Sequence, residues 1–215
     1  MRPADEKERA MKIEDVCRLA PVIPVLIVED LAHAAPLARA LSAGGLKALE
    51  VTLRTPCALD AIRAMVEAAP DAVVGAGTLM TPEDVRAAVA AGAKFGVSPG
   101  LSHRVLDAAE EAGLPMLPGV ATPSEAMAGM ERGLAHLKFF PAEANGGAPV
   151  LKAWASPLAG VSFCPTGGIG LGNARDYLGL SNVVCVGGSW VAPAKLMAAG
   201  DWAGIETLAA EAAAL

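Results

Sequence analysis

Eight short β-rich runs, alternating almost to the end of the chain with alanine-rich amphipathic stretches, predict an α/β fold of the (β/α)8 TIM-barrel type in a single domain. Repeated strand–helix–strand order implies parallel pairing through right-handed crossovers. At 215 residues and 53% hydrophobic content, the chain suits one domain with an ample core. A doubly wound open sheet is the alternative. It calls for a GxGxxG turn after the first strand, and Val28-Glu29-Asp30-Leu31 offers none.

The first strand is read at 22–28 and a helix at 31–43, stopped by Gly44-Gly45. A strand at 48–53 and a helix at 57–69 follow, then a strand at 72–75. Thr81-Pro82-Glu83-Asp84 opens the next helix, at 82–91, with a hydroxyl cap, a first-turn proline and acids, and Gly92 ends it. A strand at 94–98, a helix at 102–112 ending at Gly113 and a strand at 115–119 come next. Thr122-Pro123-Ser124-Glu125 starts a helix at 123–132, closed by Gly133, and the strand 134–140 stops at Pro141. Then come a helix at 148–154, a strand at 161–164, a helix at 172–178 and a strand at 183–186; the tail, 194–214, is helical in one or two pieces. Residues 1–12 are charged rather than apolar, unlike a secretory signal. They are expected to be an N-terminal extension, frayed or disordered, with Met11 an alternative start, and 13–215 the barrel domain.

A net charge of -6 without a basic cluster argues against nucleic-acid partners. Gly, Pro or a charge interrupts every apolar run before the ~20 residues of a membrane span, so no membrane partner is expected. Cys17, Cys57, Cys164 and Cys185 share no metal-type spacing; Cys164 and Cys185, in strand-like segments, read as buried free thiols, and the expected compartment is the cytoplasm. His33, His103 and His136 are scattered. Neither a metal site nor a cofactor is expected.

The most informative residue is Lys138, in His136-Leu137-Lys138-Phe139-Phe140-Pro141. An ammonium inside such a strand is costly to desolvate unless it is paired or loses its proton. A neutral amine in an apolar pocket can attack a ketone and form a Schiff base. The plain alternative is a strand-end lysine that snorkels to water.

Barrel chemistry gathers at the C-terminal strand ends. Those ends are polar, glycine-rich or prolyl here: Glu50 to Thr55, Gly75-Ala76-Gly77-Thr78, Ser98-Pro99-Gly100, Pro118-Gly119, Lys138 to Ala142, Pro165 to Gly170, and Gly187-Gly188-Ser189. Gly167, Gly168 and Gly188, with the Ser189 hydroxyl, look like a phosphate cradle of backbone N–H groups and following helix N-termini. Tight turns without a ligand are the alternative. Glu50, Thr52 and Arg54 share a face of their strand. Arg54 could hold a substrate carboxylate as a fork and Glu50 could move protons, unless Glu50 merely closes an ion pair with an Arg or Lys. Together with Lys138 they suggest a phosphorylated 2-keto acid cleaved through an imine, whose protonated form is itself the electron sink.

These runs resemble the bacterial 2-keto-3-deoxy-6-phosphogluconate (KDPG) aldolase and 4-hydroxy-2-oxoglutarate aldolase family. The resemblance spans about 22–202, and Lys138-Phe139-Phe140-Pro141-Ala142-Glu143-Ala144-Asn145-Gly146-Gly147 is its most specific stretch. It implies a (β/α)8 homotrimer and a class I aldolase that cleaves KDPG to pyruvate and glyceraldehyde 3-phosphate, and 4-hydroxy-2-oxoglutarate to pyruvate and glyoxylate. It further implies that Lys138 is the Schiff-base lysine, Glu50 the general acid/base, and Arg54 and Thr78 the carboxylate ligands. Pro99, Phe140 and Thr166 would line the substrate, with plain core packing the alternative for Phe140; Gly167, Gly168, Gly188 and Ser189 would bind phosphate. Glu143 and Asn145 are left open between substrate and a neighbouring subunit. Three other readings stay open: an aldolase for the C4-epimeric 2-keto-3-deoxy-6-phosphogalactonate, a non-aldolase phosphate-binding barrel enzyme, and a catalytically silent phosphosugar-binding protein.

Overall fold

The expected alternation of strands and helices runs through residues 11–215, the part of the chain that the computed structural model describes. Most of the expected 1–12 extension lies outside the described residues; Met11 and Lys12 lead directly into α1 (Ile13–Cys17). The strands are β1 (Val22–Leu26), β2 (Ala48–Thr52), β3 (Val73–Gly77), β4 (Gly96–Val97), β5 (Met116–Leu117), β6 (Gly119–Val120), β7 (His136–Phe139), β8 (Ser162–Pro165) and β9 (Val186–Gly188). All pair in parallel, in the orders β5-β4-β3-β2-β1-β9 and β6-β7-β8. Between them lie α2 (Ala34–Ala43), α3 (Ala58–Ala68), α4 (Pro82–Ala90), α5 (His103–Glu111), α6 (Pro123–Glu131), α7 (Gly147–Trp154) and α8 (Ala174–Leu178); α9 (Ala194–Ala199) and α10 (Trp202–Ala213) close the chain.

The sheet curls. Proline 118 alone separates β5 from β6, and isolated parallel bridges, Phe163 to Val183 and Thr166 to Gly187, join β8 to the β9 segment. The single strand expected at 115–119 is split because Pro118 has no N–H to donate; its carbonyl instead accepts the Lys138 N–H at 2.9 Å. Strand ends shift elsewhere: 72–75 extends to Gly77, while 183–186 becomes Val186–Gly188. The helix expected at 31–43 begins as a 3-10 turn, Leu31–His33, with the Asp30 carboxylate accepting the Ala32 N–H at 2.9 Å. The tail forms two helices, broken at Gly200, and Asp201 caps the second by accepting the Gly204 N–H at 2.9 Å.

Two apolar layers result. The larger lies between the sheet and its helices and includes Leu37, Leu41, Leu49, Val51, Ile62 and Val74. The smaller fills the concave face with Ile23, Phe95, Val97, Leu117, Cys164 and Cys185. Helix α1, which sequence reasoning missed, seals one end of that inner layer with fully buried Val16 and Cys17. Both faces of β1 and β2 are thus covered, as a parallel sheet requires. Among the described residues no helix is long and apolar enough to cross a membrane.

The predicted helix starts at Thr81 and Thr122 are closed capping boxes. The Glu125 carboxylate accepts the N–H groups of Ala121 at 2.7 Å and Thr122 at 2.9 Å, and these bonds, the Ala121 one foremost, hold its pKa below the ordinary value. A depressed folded-state value contributes stability above the unfolded pKa, near ~4.3, and loses it as pH falls through the folded value. Thr122→Ala should therefore cost about 1 kcal/mol in urea unfolding. The deficit of Glu125→Gln relative to wild type should shrink as the melts are moved from neutral pH to below that carboxylate range.

Candidate active site

Register decides which side chains meet. Glu50 lies opposite Val25 and Gly75, while Lys138 lies opposite Gly119 and Cys164. Strands β2 and β7 are not neighbours, yet Lys138 Nζ donates to Glu50 Oε1 at 3.4 Å, so the two meet across the concave face. Their side chains are 7% and 4% exposed, which rules out a snorkelling lysine. Space for the carboxylate comes from Gly77: a Cβ there would fall on Glu50 Oε1, with its Cγ only 2.7 Å away. The Phe140 ring centroid stands 5.2 Å from Nζ.

At 3.4 Å the bond is long for a charge-assisted contact, for which roughly 2.7–2.9 Å is usual. Neither side chain has a second hydrogen-bond partner among the described residues. A buried ion pair this sparsely satisfied adds little to stability. It is arranged to be rearranged.

The other predicted residues ring the same strand ends. Arg54 is exposed two residues past Thr52, whose hydroxyl donates to the Leu26 carbonyl at 2.8 Å. Thr78, just beyond β3, is a non-glycine residue at φ 63°, a conformation that persists at functional positions because the surroundings impose it. Exposed Pro99 follows β4, in a turn tied by Ser98 Oγ donating to the Gly100 carbonyl at 2.8 Å. Thr166 is buried and donates to the Cys164 carbonyl at 3.4 Å; a Cβ on Gly187 would strike its hydroxyl. The geometry joins Lys138 to Glu50 and sets the Phe140 ring beside Lys138, while Thr78 and Thr166 follow the ends of β3 and β8 directly and Arg54 and Pro99 lie two residues past β2 and β4.

Gly167 and Gly168 take φ of 103° and 77°, and their N–H groups find no acceptor among the described residues. One expectation is corrected. The helices after the two glycine turns, α8 and α9, have five and six residues and begin only at Ala174 and Ala194. The available donors are therefore the turn N–H groups, not helix ends. Beyond Ser189, which is exposed, a cavity of about 550 Å³ opens between Ile27, His33, Trp190 and Met197. Ser189 itself lines it, and neither Lys138 nor Glu50 does.

A family profile for KDPG and KHG aldolase matches residues 13–208. The chain belongs to that aldolase family. It is 53% identical over 199 residues to the KHG/KDPG aldolase of Escherichia coli K12, covering 93% of each chain. A crystal structure of the Legionella pneumophila KDPG aldolase, holding pyruvate as a covalent carbinolamine, superposes with a TM-score of 0.92 at 45% identity, covering 94% of this chain and 98% of that one. The Zymomonas mobilis ZM4 KDPG aldolase, solved with 3-phosphoglycerate, gives 0.89 at 51% identity, covering 94% and 95%.

This family member also carries residues that sequence reasoning left open or passed over. Glu143 sits in the 3-10 turn Glu143–Asn145 after β7 and accepts a hydrogen bond from Tyr177. Tyr177 is the one tyrosine in the chain, and its place in a helix just after the glycine turn was the available signal. His136 lies two residues before Lys138 on the same face; burial lowers its pKa, and its Nε2 has no partner among the described residues.

The sparse pairing has a measurable consequence. Lys138→Met alone should destabilise the fold by about 3 kcal/mol, because it strands a buried carboxylate, whereas Lys138→Met combined with Glu50→Leu should recover most of that loss. Urea unfolding of the two variants checks it.

Proposed function

We propose that the protein is a class I aldolase that cleaves KDPG to pyruvate and glyceraldehyde 3-phosphate and also splits 4-hydroxy-2-oxoglutarate to pyruvate and glyoxylate. The observation that carries this reading is the buried Lys138–Glu50 pair, 3.4 Å apart at the centre of a rim of strand ends. In it, Glu50 takes a proton from the Lys138 ammonium, and the neutral amine attacks the C2 ketone. Glu50 returns that proton to the carbinolamine hydroxyl, which leaves as water, giving the protonated imine and the Glu50 carboxylate again. Glu50, directly or through a water, then removes the C4 hydroxyl proton. The C3–C4 bond breaks, its electron pair flows into the iminium, and the aldehyde leaves. Protonation of the enamine at C3 and hydrolysis of the imine release pyruvate and restore Lys138.

Arg54 and Thr78 hold the keto-acid carboxylate, Pro99, Phe140 and Thr166 line the carbon chain, and Gly167, Gly168, Gly188 and Ser189 take the phosphate. The free N–H groups of Gly167 and Gly168 support that last assignment. The two bridges between β8 and β9, with the near-continuity of β5 and β6, support closure of the curled sheet into a (β/α)8 barrel. The same reading makes the enzyme a cytoplasmic homotrimer; Met80 and Met127, 64% and 54% exposed, are apolar side chains that a subunit contact would cover.

Pyruvate release coupled to lactate dehydrogenase tests the reading. Lys138→Ala should have no imine-dependent turnover, and Glu50→Gln should lose about 100-fold or more in kcat with KM little changed. Turnover of the Lys138 variant near the wild-type rate would sink the assignment. The same assay on the C4 epimer, 2-keto-3-deoxy-6-phosphogalactonate, should give the lower kcat/KM; a preference for it would make that epimer the substrate.

A further inference from the structure

We infer that Tyr177, Glu143 and Asn173 form a clasp that positions the Gly167-Gly168 turn with its N–H groups toward the substrate phosphate. The inference rests on the phosphate role proposed for that turn. A backbone turn serves an anion only when its N–H groups face the ligand and its carbonyls are engaged elsewhere. Here the carbonyls are taken from the protein side. Thr166 O accepts the Ala142 N–H at 2.8 Å, Gly167 O accepts the Glu143 N–H at 3.1 Å, and Gly168 O accepts Asn173 Nδ2 at 3.2 Å. Asn173 Oδ1 also accepts the Gly170 N–H at 2.8 Å, so one side-chain amide brackets the turn. The N–H groups of Gly167 and Gly168 are the ones left over.

Glu143 supplies the other side of the clasp. Its Cβ and Cγ stand 2.7 Å from where a Cβ on Gly168 would be, so the side chain backs the turn directly. Its carboxylate accepts the hydroxyl of Tyr177, a residue only 1% exposed. Burial, reinforced by that carboxylate, raises the Tyr177 pKa, so the hydroxyl keeps its proton and remains the donor. Tyr177 and Asn173 are four residues apart, at the cap and in the body of α8, and so share a face. The loop after the lysine strand, the glycine turn and α8 are thereby tied together. The tie also anchors a carboxylate that, released, would repel a phosphate dianion across a few ångströms.

The clasp touches neither the reacting carbons nor Lys138, so its signature is selective for the phosphate. Steady-state kinetics on KDPG and on the unphosphorylated 4-hydroxy-2-oxoglutarate, with inorganic phosphate as competitive inhibitor, read it out. Tyr177→Phe should raise both the KM for KDPG and the inhibition constant of phosphate about tenfold, the scale of one lost hydrogen bond to a charged group. Its kcat/KM on 4-hydroxy-2-oxoglutarate should stay within about twofold of wild type. Glu143→Gln, which keeps an acceptor for the hydroxyl, should retain most of the phosphate affinity. Asn173→Ala, on the other side of the turn, should shift the same two constants. Equal losses on both substrates, or unchanged phosphate inhibition in Tyr177→Phe and Asn173→Ala, would overturn the clasp. Wild-type enzyme indifferent to phosphate would instead remove the phosphate role of the turn, and the clasp with it.

Discussion

A lysine and a glutamate held out of water against each other, on strands that are not neighbours, impose the demands that the rest of the fold meets. Their desolvation costs several kcal/mol per ion before any return from pairing. The sheet must curl until β2 and β7 face one another. Facing positions must be small, which is why β3 presents Gly75 to the Phe95 ring and Gly77 to the Glu50 carboxylate. One end of the concave face must be closed, and α1 closes it with Val16 and Cys17 while the strand ends opposite carry the polar rim. Large apolar residues and glycines on the concave face are thus two sides of one packing problem.

The rim is held from behind, mostly by side chains that bond to backbone. Thr52 donates to the Leu26 carbonyl at 2.8 Å, Thr55 to Val28 at 2.7 Å, and Ser98 to Gly100 at 2.8 Å. Such ties fix loop geometry before a ligand arrives, so less binding energy goes into ordering the site. The glycine turn after β8 follows the same logic, with Glu143, Asn173 and Tyr177 in the supporting role. Thr78, at φ 63°, shows the opposite device, a local strain held between buried Gly77 and Leu79.

Local signals were legible and cross-chain ones were not. The helix starts at Thr81 and Thr122 were readable because every group in a capping box lies within a few residues. Lys138 was readable because an ammonium in an apolar strand is costly on its own account. The Glu50 partnership could be raised only as one possibility among ion pairs, since the partners are 88 positions apart and depend on the curl of the sheet. The split at Pro118 has a local cause, a residue without an N–H to donate, but where the pairing breaks depends on the neighbouring strands. Helix α1 is too short for a periodic pattern, and its burial depends on the inner layer that it covers. Tyr177 stayed silent because its partner Glu143 is 34 residues away.

Trapping the imine tests the centre of this picture most directly. The folded protein is incubated with pyruvate, reduced with borohydride and digested for peptide mass spectrometry. A reduced pyruvyl adduct on Lys138 is the expected result, as the buried amine beside Glu50 requires. No adduct on the folded protein, or one confined to another lysine, would contradict it and turn the Lys138–Glu50 pair into a structural ion pair.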